Sequence, residues 1–582
     1  MTSWLHGPIL EPGLDLWESV ASALAEWTPQ LAAIVDPMSG VSVSAFDLLS
    51  RIEVAAGTLL AAGAEPGDRV IIDLDRSIEE VVFVLACVRQ GLAYVGTAAD
   101  EPVSAHSAVV HDSSPVAVVT HRPNGWDLPT INPQPEDSIS TPSSASSDVC
   151  YISYTSGTTG SRKGVEAPRS GVDRLMRGAE YCSIRRGDRI LRFAPLAFDA
   201  STFEIFVGLW RRATLVIGPT GPLDINALAN FIVDQKIDVC WLTSGLFSSL
   251  VDYRPESFAK LRQVLTGGDR VAASAINDLL GRFPHLSVVN GYGPTEATTF
   301  ATTRSFAFAD LPLTTVPIGR PVGDTSVGIS DEGEILIAGG GLAVGYRNDP
   351  DLTAERFRVI DGRRVYLTGD LGTIVDGELQ FLGRRDRQLK IHGFRVEPSA
   401  VDEVLRRERL VADSWSFGLQ GSEGTELVCA FVASPGLSHA FSNLRQRLMD
   451  GGLPVYAVPR RFIEVSVIPL TVNGKVDQAA LIAEAAFGEH RADPEAETDS
   501  SDLTKSVRHT WSVALGSNDF DDHSGFFDSG GDSLRLAKVH AMLQGLFPEI
   551  DLKLVDLLRY PSVAEQVLAL REKYESIGRH NL

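Results

Sequence analysis

Cysteine is scarce. Five are scattered through 582 residues (Cys87, Cys150, Cys182, Cys240 and Cys429), with no Cys-x-x-Cys pair and no neighbouring group of histidines. That spacing excludes a disulfide framework and a structural zinc site, and it predicts reduced thiols. Long apolar runs are missing as well: the most apolar early stretch, 81–88, falls far short of the about 20 residues needed to cross a bilayer. The opening residues Met1-Thr-Ser-Trp-Leu-His lack a basic start followed by an apolar segment. No signal peptide and no membrane association are therefore expected, and the expected location is cytoplasmic. Positive charge is in deficit, with 52 Lys+Arg against 75 Asp+Glu and a formal net charge of −23. So acidic a surface repels phosphate backbones and argues against nucleic acid as a partner. It leaves room for a nucleotide held by local amides, a metal ion and one or two cations.

What is present is ordinary globular material, 44% hydrophobic and 22% charged, which excludes disorder as the main state. At roughly 100–200 residues per domain, the length predicts about three to five folding units. Short apolar strands alternate with helical stretches early on. Residues 69–74 read as a strand; Ser77 and Glu80 have capping-box spacing ahead of an apolar helix that Gly91 can close. Strands are predicted at 239–242, 263–265 and 286–289, with a helix over 272–283. This alternation predicts α/β layers with mainly parallel sheets. Residues 319–383 read as β-rich, and a smaller α+β segment follows to about 486. Residues 488–501 are polar and acidic with little to bury, which predicts a linker. Helical apolar spacing at 503–515, 534–543 and 563–571 predicts a small helical domain.

The first strong chemical signal is Tyr-Thr-Ser-Gly-Thr-Thr-Gly-Ser-Arg-Lys-Gly at 154–164, directly after an apolar strand. Glycines let backbone amides converge on phosphate oxygens, hydroxyls add donors and Lys163 adds charge. It is not a Walker A loop, because Arg162 stands where glycine would precede the lysine. A flexible linker of similar composition would have little use for the lysine or the strand. The Gly-Gly-Gly-Leu-Ala-Val-Gly run at 339–345 departs from dinucleotide-loop spacing, and Pro350 argues against a following helix, so the run reads as structural. Further motifs follow in order: Phe-Asp-Ala-Ser at 198–201, Asn-Gly-Tyr-Gly-Pro-Thr-Glu at 290–296, Tyr-Leu-Thr-Gly-Asp at 366–370, Gly-Arg-Arg-Asp-Arg-Gln-Leu-Lys-Ile-His-Gly at 383–393, and Asn-Gly-Lys at 473–475. Singly, most are turns or surface residues. Gly369-Asp370 alone is usually a turn, and Glu296 alone a solvated carboxylate.

Together and in this order, they resemble the adenylation domains of nonribosomal peptide synthetases, within the adenylate-forming enzymes, over about residues 10–485. Phe-Phe-Asp-Ser-Gly-Gly-Asp-Ser-Leu at 526–534 resembles the attachment site of a thiolation (peptidyl carrier) domain. The resemblance implies an α/β fold: a large multi-subdomain adenylate-forming core at 1–384, a small α+β domain at 385–487 hinged at Asp386, a linker at 488–501 and a four-helix carrier at 502–582. It implies ATP, Mg²⁺ and 4′-phosphopantetheine as cofactors. An amino acid and ATP would give an aminoacyl adenylate and pyrophosphate, and a thiol would then displace AMP.

In that scheme Thr155, Ser156, Gly157, Thr158, Thr159, Gly160 and Lys163 hold phosphates. Glu296 holds Mg²⁺, a hard cation suited to carboxylate oxygen. Tyr292 stacks on adenine, Asn290 bonds its edge, Thr295 completes the nucleotide site, and Asp370 accepts from both ribose hydroxyls with help from Arg384. Lys475 bridges the two anions of the first half-reaction. Rotation at Asp386 withdraws Lys475 and brings in the face around Lys390 and Gly393 for thioester formation. Asp386 could equally be a salt-bridging residue among Arg384, Arg385 and Arg387. Ser533 would carry the pantetheine arm, added by a phosphopantetheinyl transferase.

The substrate pocket carried over by motif comprises Asp199, Ala200, Phe203, Trp241, Leu265, Gly267, Gly291, Thr299, Phe300 and Lys475. Asp199 would pair with an α-ammonium and Lys475 with the carboxylate. The remainder is apolar, with no charge to meet a polar side chain, and it resembles valine-type pockets. Isoleucine and 2-aminobutyrate are the near alternatives. An acyl- or aryl-acid ligase is a rival that Asp199 opposes, since such substrates carry no ammonium. A degenerate scaffold is a rival opposed by the intact Lys475, Glu296, Asp370 and Ser533. His392, Arg169-Ser170 and the loose 95–100 element depart from the usual pattern without touching these roles. A loading or stand-alone module is expected, acting with a downstream enzyme that accepts the loaded group and with a small helper protein as a further candidate partner.

Overall fold

The computed structural model describes residues 3–578 except 12, 98–102, 123–125, 127, 134–146, 156–161, 222–223, 386–387, 392–393, 408–410, 422–423, 434–443, 452, 460, 466, 470–475, 477, 488–501, 516–519, 528, 530, 532, 548–549 and 551. A nine-stranded sheet runs in the order Arg320–Pro321, Thr302–Phe306, Ser287–Tyr292, Gln263–Gly267, Val239–Thr243, Arg189–Arg192, Thr214–Ile217, Ala32–Asp36, Val41–Ser44. Its strands are parallel from Ser287–Tyr292 to Ala32–Asp36 and antiparallel only at the two ends. A six-stranded sheet, Thr130–Ile131, Ala117–Thr120, Arg69–Asp73, Ala93–Gly96, Val149–Thr155, Lys163–Pro168, is parallel until its last, antiparallel strand. Such sheets need both faces covered, and their apolar strands with intervening amphipathic helices supply that. One core joins the two sheets through the helices Leu16–Ala25, Ala45–Ala61 and Ile78–Arg89.

Two local expectations change. Ser77 does cap Ile78–Arg89, accepting from the Glu80 amide, and Gly91 follows the helix at φ +69°. Glu80 does not reach back to close the capping box, however. Its carboxylate pairs with the fully buried Arg192 at 2.8 Å, because an interior guanidinium needs a counter-charge more than a helix end needs a second cap. Pro350 also does not forbid a helix. It opens Pro350–Arg356 with Asp349 as the cap, at the one helical position where its missing N–H costs nothing.

The β-rich part is an antiparallel sheet, Ser3–His6, Thr325–Ile329, Glu334–Gly339, Arg363–Val375, Phe357–Ile360, with Glu378–Arg384 paired to the long strand. A separate α+β unit follows: strands Val411–Gly421, Gly424–Ala433 and Arg461–Glu464, the hairpin Leu389–Ile391 and Phe394–Val396, and helices Pro398–Arg407, Leu444–Asp450 and Gln478–Phe487. Four C-terminal helices, Asp502–Leu515, Ser533–Leu546, Leu554–Arg559 and Val563–Gly578, close around Val507, Trp511, Phe526 and Leu543. Their apolar cluster is continuous with that of Ile225–Asp234 and Ser244–Tyr253, so the helical unit is docked on the large sheet's outer helices. Lys538 sits over the Tyr253 ring at this junction, 5.4 Å from its centre. All five cysteines are buried as thiols outside any disulfide, and burial raises those of Cys87, Cys150, Cys182 and Cys240. No helix among the described residues is long and apolar enough to cross a membrane.

Candidate active site

The carboxyl ends of parallel strands open onto a cleft, the usual place for a ligand in sheets of this kind. A cavity of about 1140 Å³ lies there, between the ends of Gln263–Gly267 and Ser287–Tyr292, the long strand Arg363–Val375 and the α+β unit. Asn290, Gly291, Tyr292, Asp370, Arg384 and Lys390 line it. Asp370 is buried, accepts from the Tyr292 hydroxyl at 2.5 Å, and pairs with Arg384. Asn290 donates to the Pro317 carbonyl at 3.1 Å. Thr295 opens the short turn of helix that carries Glu296.

Glu296 is fully buried. Its Oε1 accepts from the Tyr346 hydroxyl at 2.6 Å and from Arg395, whereas Oε2 has no hydrogen-bond partner among the described residues. Burial alone would raise this carboxyl, but Arg395 and Tyr346 draw it down to about 2. A carboxylate oxygen without a hydrogen-bond partner among the described residues, here Oε2, is what a hard divalent cation needs, and such cations commonly take only one or two carboxylates beside phosphate oxygens. The residues therefore fit Mg²⁺, although no group of three acidic, His or Cys ligands exists among the described residues.

The phosphate loop's two anchors are described, and 156–161 between them lie outside the described residues. Thr155 ends the strand Val149–Thr155 with a hydroxyl that has no partner among the described residues. Lys163 opens the antiparallel partner strand, and burial lowers its pKa. The stem is braced where Tyr154 donates to Asp112 at 2.7 Å and its ring packs on Gly164.

Asp199 precedes the short helix Ala200–Thr202, which continues as a π-helical turn, Phe203–Val207. Burial pushes Asp199 up to about 6, against the Thr295 hydrogen bond and the Lys390 charge. Register sets Trp241 beside Leu265 and Gly267 beside Gly291 on adjacent parallel strands. A Cβ on Gly291 would lie 2.6 Å from the Phe300 ring, and one on Gly267 would lie 2.1 Å from the Gly291 oxygen. Phe300 meets Phe203 edge-on at 5.7 Å. Thr299 donates to the Asp199 carbonyl at 3.0 Å. Thr298 and Thr299 both have positive φ, a strained backbone that buried Arg174 holds by donating to the carbonyls of Ala297, Thr298 and Phe300.

Sequence reasoning passed over three contributors: Arg395, Tyr346 and Arg174. Arg395 stands two residues beyond the 383–393 motif, on the hairpin that also brings Lys390 to 5.3 Å from the Tyr292 ring centre and Phe394 to 5.8 Å from Phe198. Lys475 and Asp386 lie outside the described residues, and Ser533 is the first residue of its helix with its side chain undescribed. Arg169 proves structural, donating to the Val88 carbonyl and pairing with Asp15, each at 3.0 Å.

Residues 22–347 match the model of the AMP-binding enzymes, and residues 505–570 that of the phosphopantetheine attachment site. The chain belongs to the AMP-binding enzyme family. It is an ATP-dependent, AMP-forming ligase with a carrier region, built like the adenylation and carrier pair of nonribosomal peptide synthetases. It is 32% identical over 546 residues to gramicidin S synthase 2 of Brevibacillus brevis, covering 89% of this chain and 12% of that protein. It is 32% identical to surfactin synthase subunit 2 of Bacillus subtilis (strain 168), covering 94% and 16%. The chain thus spans about an eighth of the first of these synthetases. Among solved structures, holo-PA1221, an NRPS protein with adenylation and PCP domains bound to a vinylsulfonamide inhibitor, superposes with a TM-score of 0.83 at 30% identity, covering 96% of this chain and 98% of that one. Set against such relatives, this AMP-binding enzyme keeps both modules in one chain and uses ATP and 4′-phosphopantetheine.

Proposed function

We propose that this chain activates an amino acid, L-valine in the first place, as its adenylate and loads it as a thioester on the arm carried by Ser533. The observation that carries the reading is a half-buried carboxylate, Asp199, next to the expected lining of Ala200, Phe203, Trp241, Leu265, Gly267, Gly291, Thr299 and Phe300, whose members strand register and ring packing bring together. An ammonium has a partner there; a charged side chain would have no counter-charge in the remaining lining, which makes burying one costly. Phe203, Trp241 and Phe300 fill the volume and leave room for a short branched aliphatic group. The peptide synthetases named above support an amino-acid substrate.

In the first half-reaction Asp199 holds the α-ammonium, Asp370 and Arg384 the ribose, Tyr292 the adenine, and Thr155 and Lys163 the phosphates. Lys475 neutralises charge building between carboxylate and α-phosphate. Glu296 would hold Mg²⁺, which when bound would neutralise charge on the leaving phosphates. In the second half-reaction the small unit turns about Asp386, and Lys390 faces the nucleotide. The Lys390 and Phe394 contacts with Tyr292 and Phe198 support reading the present arrangement as that second one. Ser533 opens a helix of 14 residues, where unpaired N–H groups favour a phosphodiester, so the position fits pantetheine. That arm, when bound, supplies the accepting thiol. A phosphopantetheinyl transferase, a downstream acceptor enzyme and a small helper protein are the partners this reading calls for. Units 1–384, 385–487 and 502–582 are its domains.

The test is pyrophosphate exchange across the standard amino acids. Valine is expected to stand first, with isoleucine and 2-aminobutyrate trailing. A clear preference for phenylalanine, threonine or a charged residue overturns the pocket assignment, and dependence on a carboxylic acid lacking an amine overturns the class.

A further inference from the structure

The pairing of Glu296 with Arg395 joins two units of the fold. Glu296 belongs to the large α/β part; Arg395 lies on the hairpin Leu389–Ile391 and Phe394–Val396 of the α+β unit. The carboxylate is fully buried, and Arg395 is itself mostly buried. A buried carboxylate without a cation beside it is strongly unfavourable, so Glu296 needs a positive partner in every state the site passes through. Mg²⁺ leaving with pyrophosphate would strip it of one.

We infer that Arg395 is the counter-ion that takes over Glu296 when the hairpin enters the site, so that the divalent cation and the hairpin compete for one carboxylate. This rests on the reading of Glu296 as the cation's ligand. The geometry supports the exchange in three ways. Arg395 and the Tyr346 hydroxyl both occupy Oε1, while Oε2 has no hydrogen-bond partner among the described residues. A cation on Oε2 would therefore face the guanidinium across one carboxylate, and like charges so close in a site shielded from water repel strongly. Lys163 of the phosphate loop lies within electrostatic reach of both Arg395 and Glu296, with the Glu397 carboxylate also in reach, so a cation on Oε2 would meet a second positive charge besides Arg395. Finally, Phe394, next to Arg395, stacks on Tyr456 of its own unit with ring centres 4.2 Å apart. That fixes the guanidinium to the small unit's position, so its departure requires the unit to move. Arg395 is thus a positioning residue: it couples cation release to hairpin entry.

The experiment uses the full holo chain carrying dyes on Phe46→Cys and Val467→Cys. These are exposed positions on the two units, and the five native thiols are buried. Energy transfer is followed while MgCl₂ is titrated in the presence of valine and α,β-methylene ATP. In the parent, transfer is expected to move between two levels as Mg²⁺ rises. In Arg395→Gln the midpoint is expected to fall about tenfold, within the usual range of coupling between two sites. Arg395→Lys should lie between them, and Glu296→Gln should not respond. Thioester loading in Arg395→Gln should fall more than pyrophosphate exchange does. Equal midpoints in the parent and Arg395→Gln, or a parent that ignores Mg²⁺, overturn the inference. Should Arg395→Gln fail to fold, an Arg395→Lys midpoint equal to the parent's overturns it just as well. Exchange measured on the same samples separates the two levels. Valine-dependent exchange with unmoved midpoints sinks Arg395 alone, whereas absence of exchange with every amino acid sinks the functional reading and the inference together.

Discussion

The two halves of the site are built on opposite principles. The proposed side-chain pocket is a product of strand register and aromatic packing inside one unit: Trp241 beside Leu265, Gly267 beside Gly291, Phe300 against Phe203. The nucleotide cleft combines a pair within the large part, Asp370 with Arg384, and contacts across the unit boundary, Glu296 with Arg395 and Lys390 over Tyr292. The difference suggests that selectivity and turnover are separable. In the proposed function, selectivity rests on volumes that change only when a core is repacked, and turnover on pairings that motion of the small unit would make and break.

Four substitutions or conditions probe that separation, beginning with the largest effect. Ser533→Ala should abolish covalent loading outright and leave amino-acid-dependent exchange intact; pantetheine mass on this variant would refute the attachment site. Lys475→Ala should slow adenylation by about 10²–10³ while sparing transfer from a supplied valyl adenylate, the usual cost of one preorganised charge contact. Near-normal exchange would remove Lys475 from the first half-reaction. Gly291→Ala acts on the pocket alone. Its Cβ would meet the Phe300 ring at 2.6 Å, and overpacking typically costs about 1–3 kcal/mol. Valine kcat/KM should fall about tenfold, with 2-aminobutyrate gaining relative to valine, and an unchanged ranking would show that the ring does not bound the substrate.

The smallest effect is that of pH. Asp199 is raised to about 6 chiefly by burial, so it holds its proton at a higher pH than an exposed carboxyl. An ammonium needs the ionised form. Amino-acid kcat/KM, which reports groups of the free enzyme, should therefore decline as pH falls through about 6, with kcat less affected because bound ammonium keeps Asp199 ionised. A flat profile between pH 7 and 5 would remove Asp199 from ammonium binding.

Much of this is legible in the amino-acid sequence, for a physical reason. Strands of a covered parallel sheet are continuous apolar runs, and the chemistry-bearing residues sit in loops next to glycines that pattern strongly. Thus the strand predicted at 263–265 lies within the observed Gln263–Gly267, two residues short of its end. What escaped were pairings between distant charges. Glu80 looked like a helix cap, since nothing local reveals the buried Arg192 that claims it. Arg174 looks like one more polar residue in a helix, yet it holds the strained Thr298 and Thr299 backbone in place. Arg395 meets Glu296 across 99 residues and a unit boundary, and no periodicity encodes such a meeting.

The central claim, that one chain both selects valine and loads it onto itself, is tested most directly by intact mass. The phosphopantetheinylated protein is incubated with ATP, Mg²⁺ and an equimolar mixture of the standard amino acids, then weighed before and after mild thioester cleavage. The predicted result is a single cleavable increment of one valyl residue, absent when Ser533 is alanine. A different aminoacyl increment, or none in a protein that carries pantetheine, would contradict it.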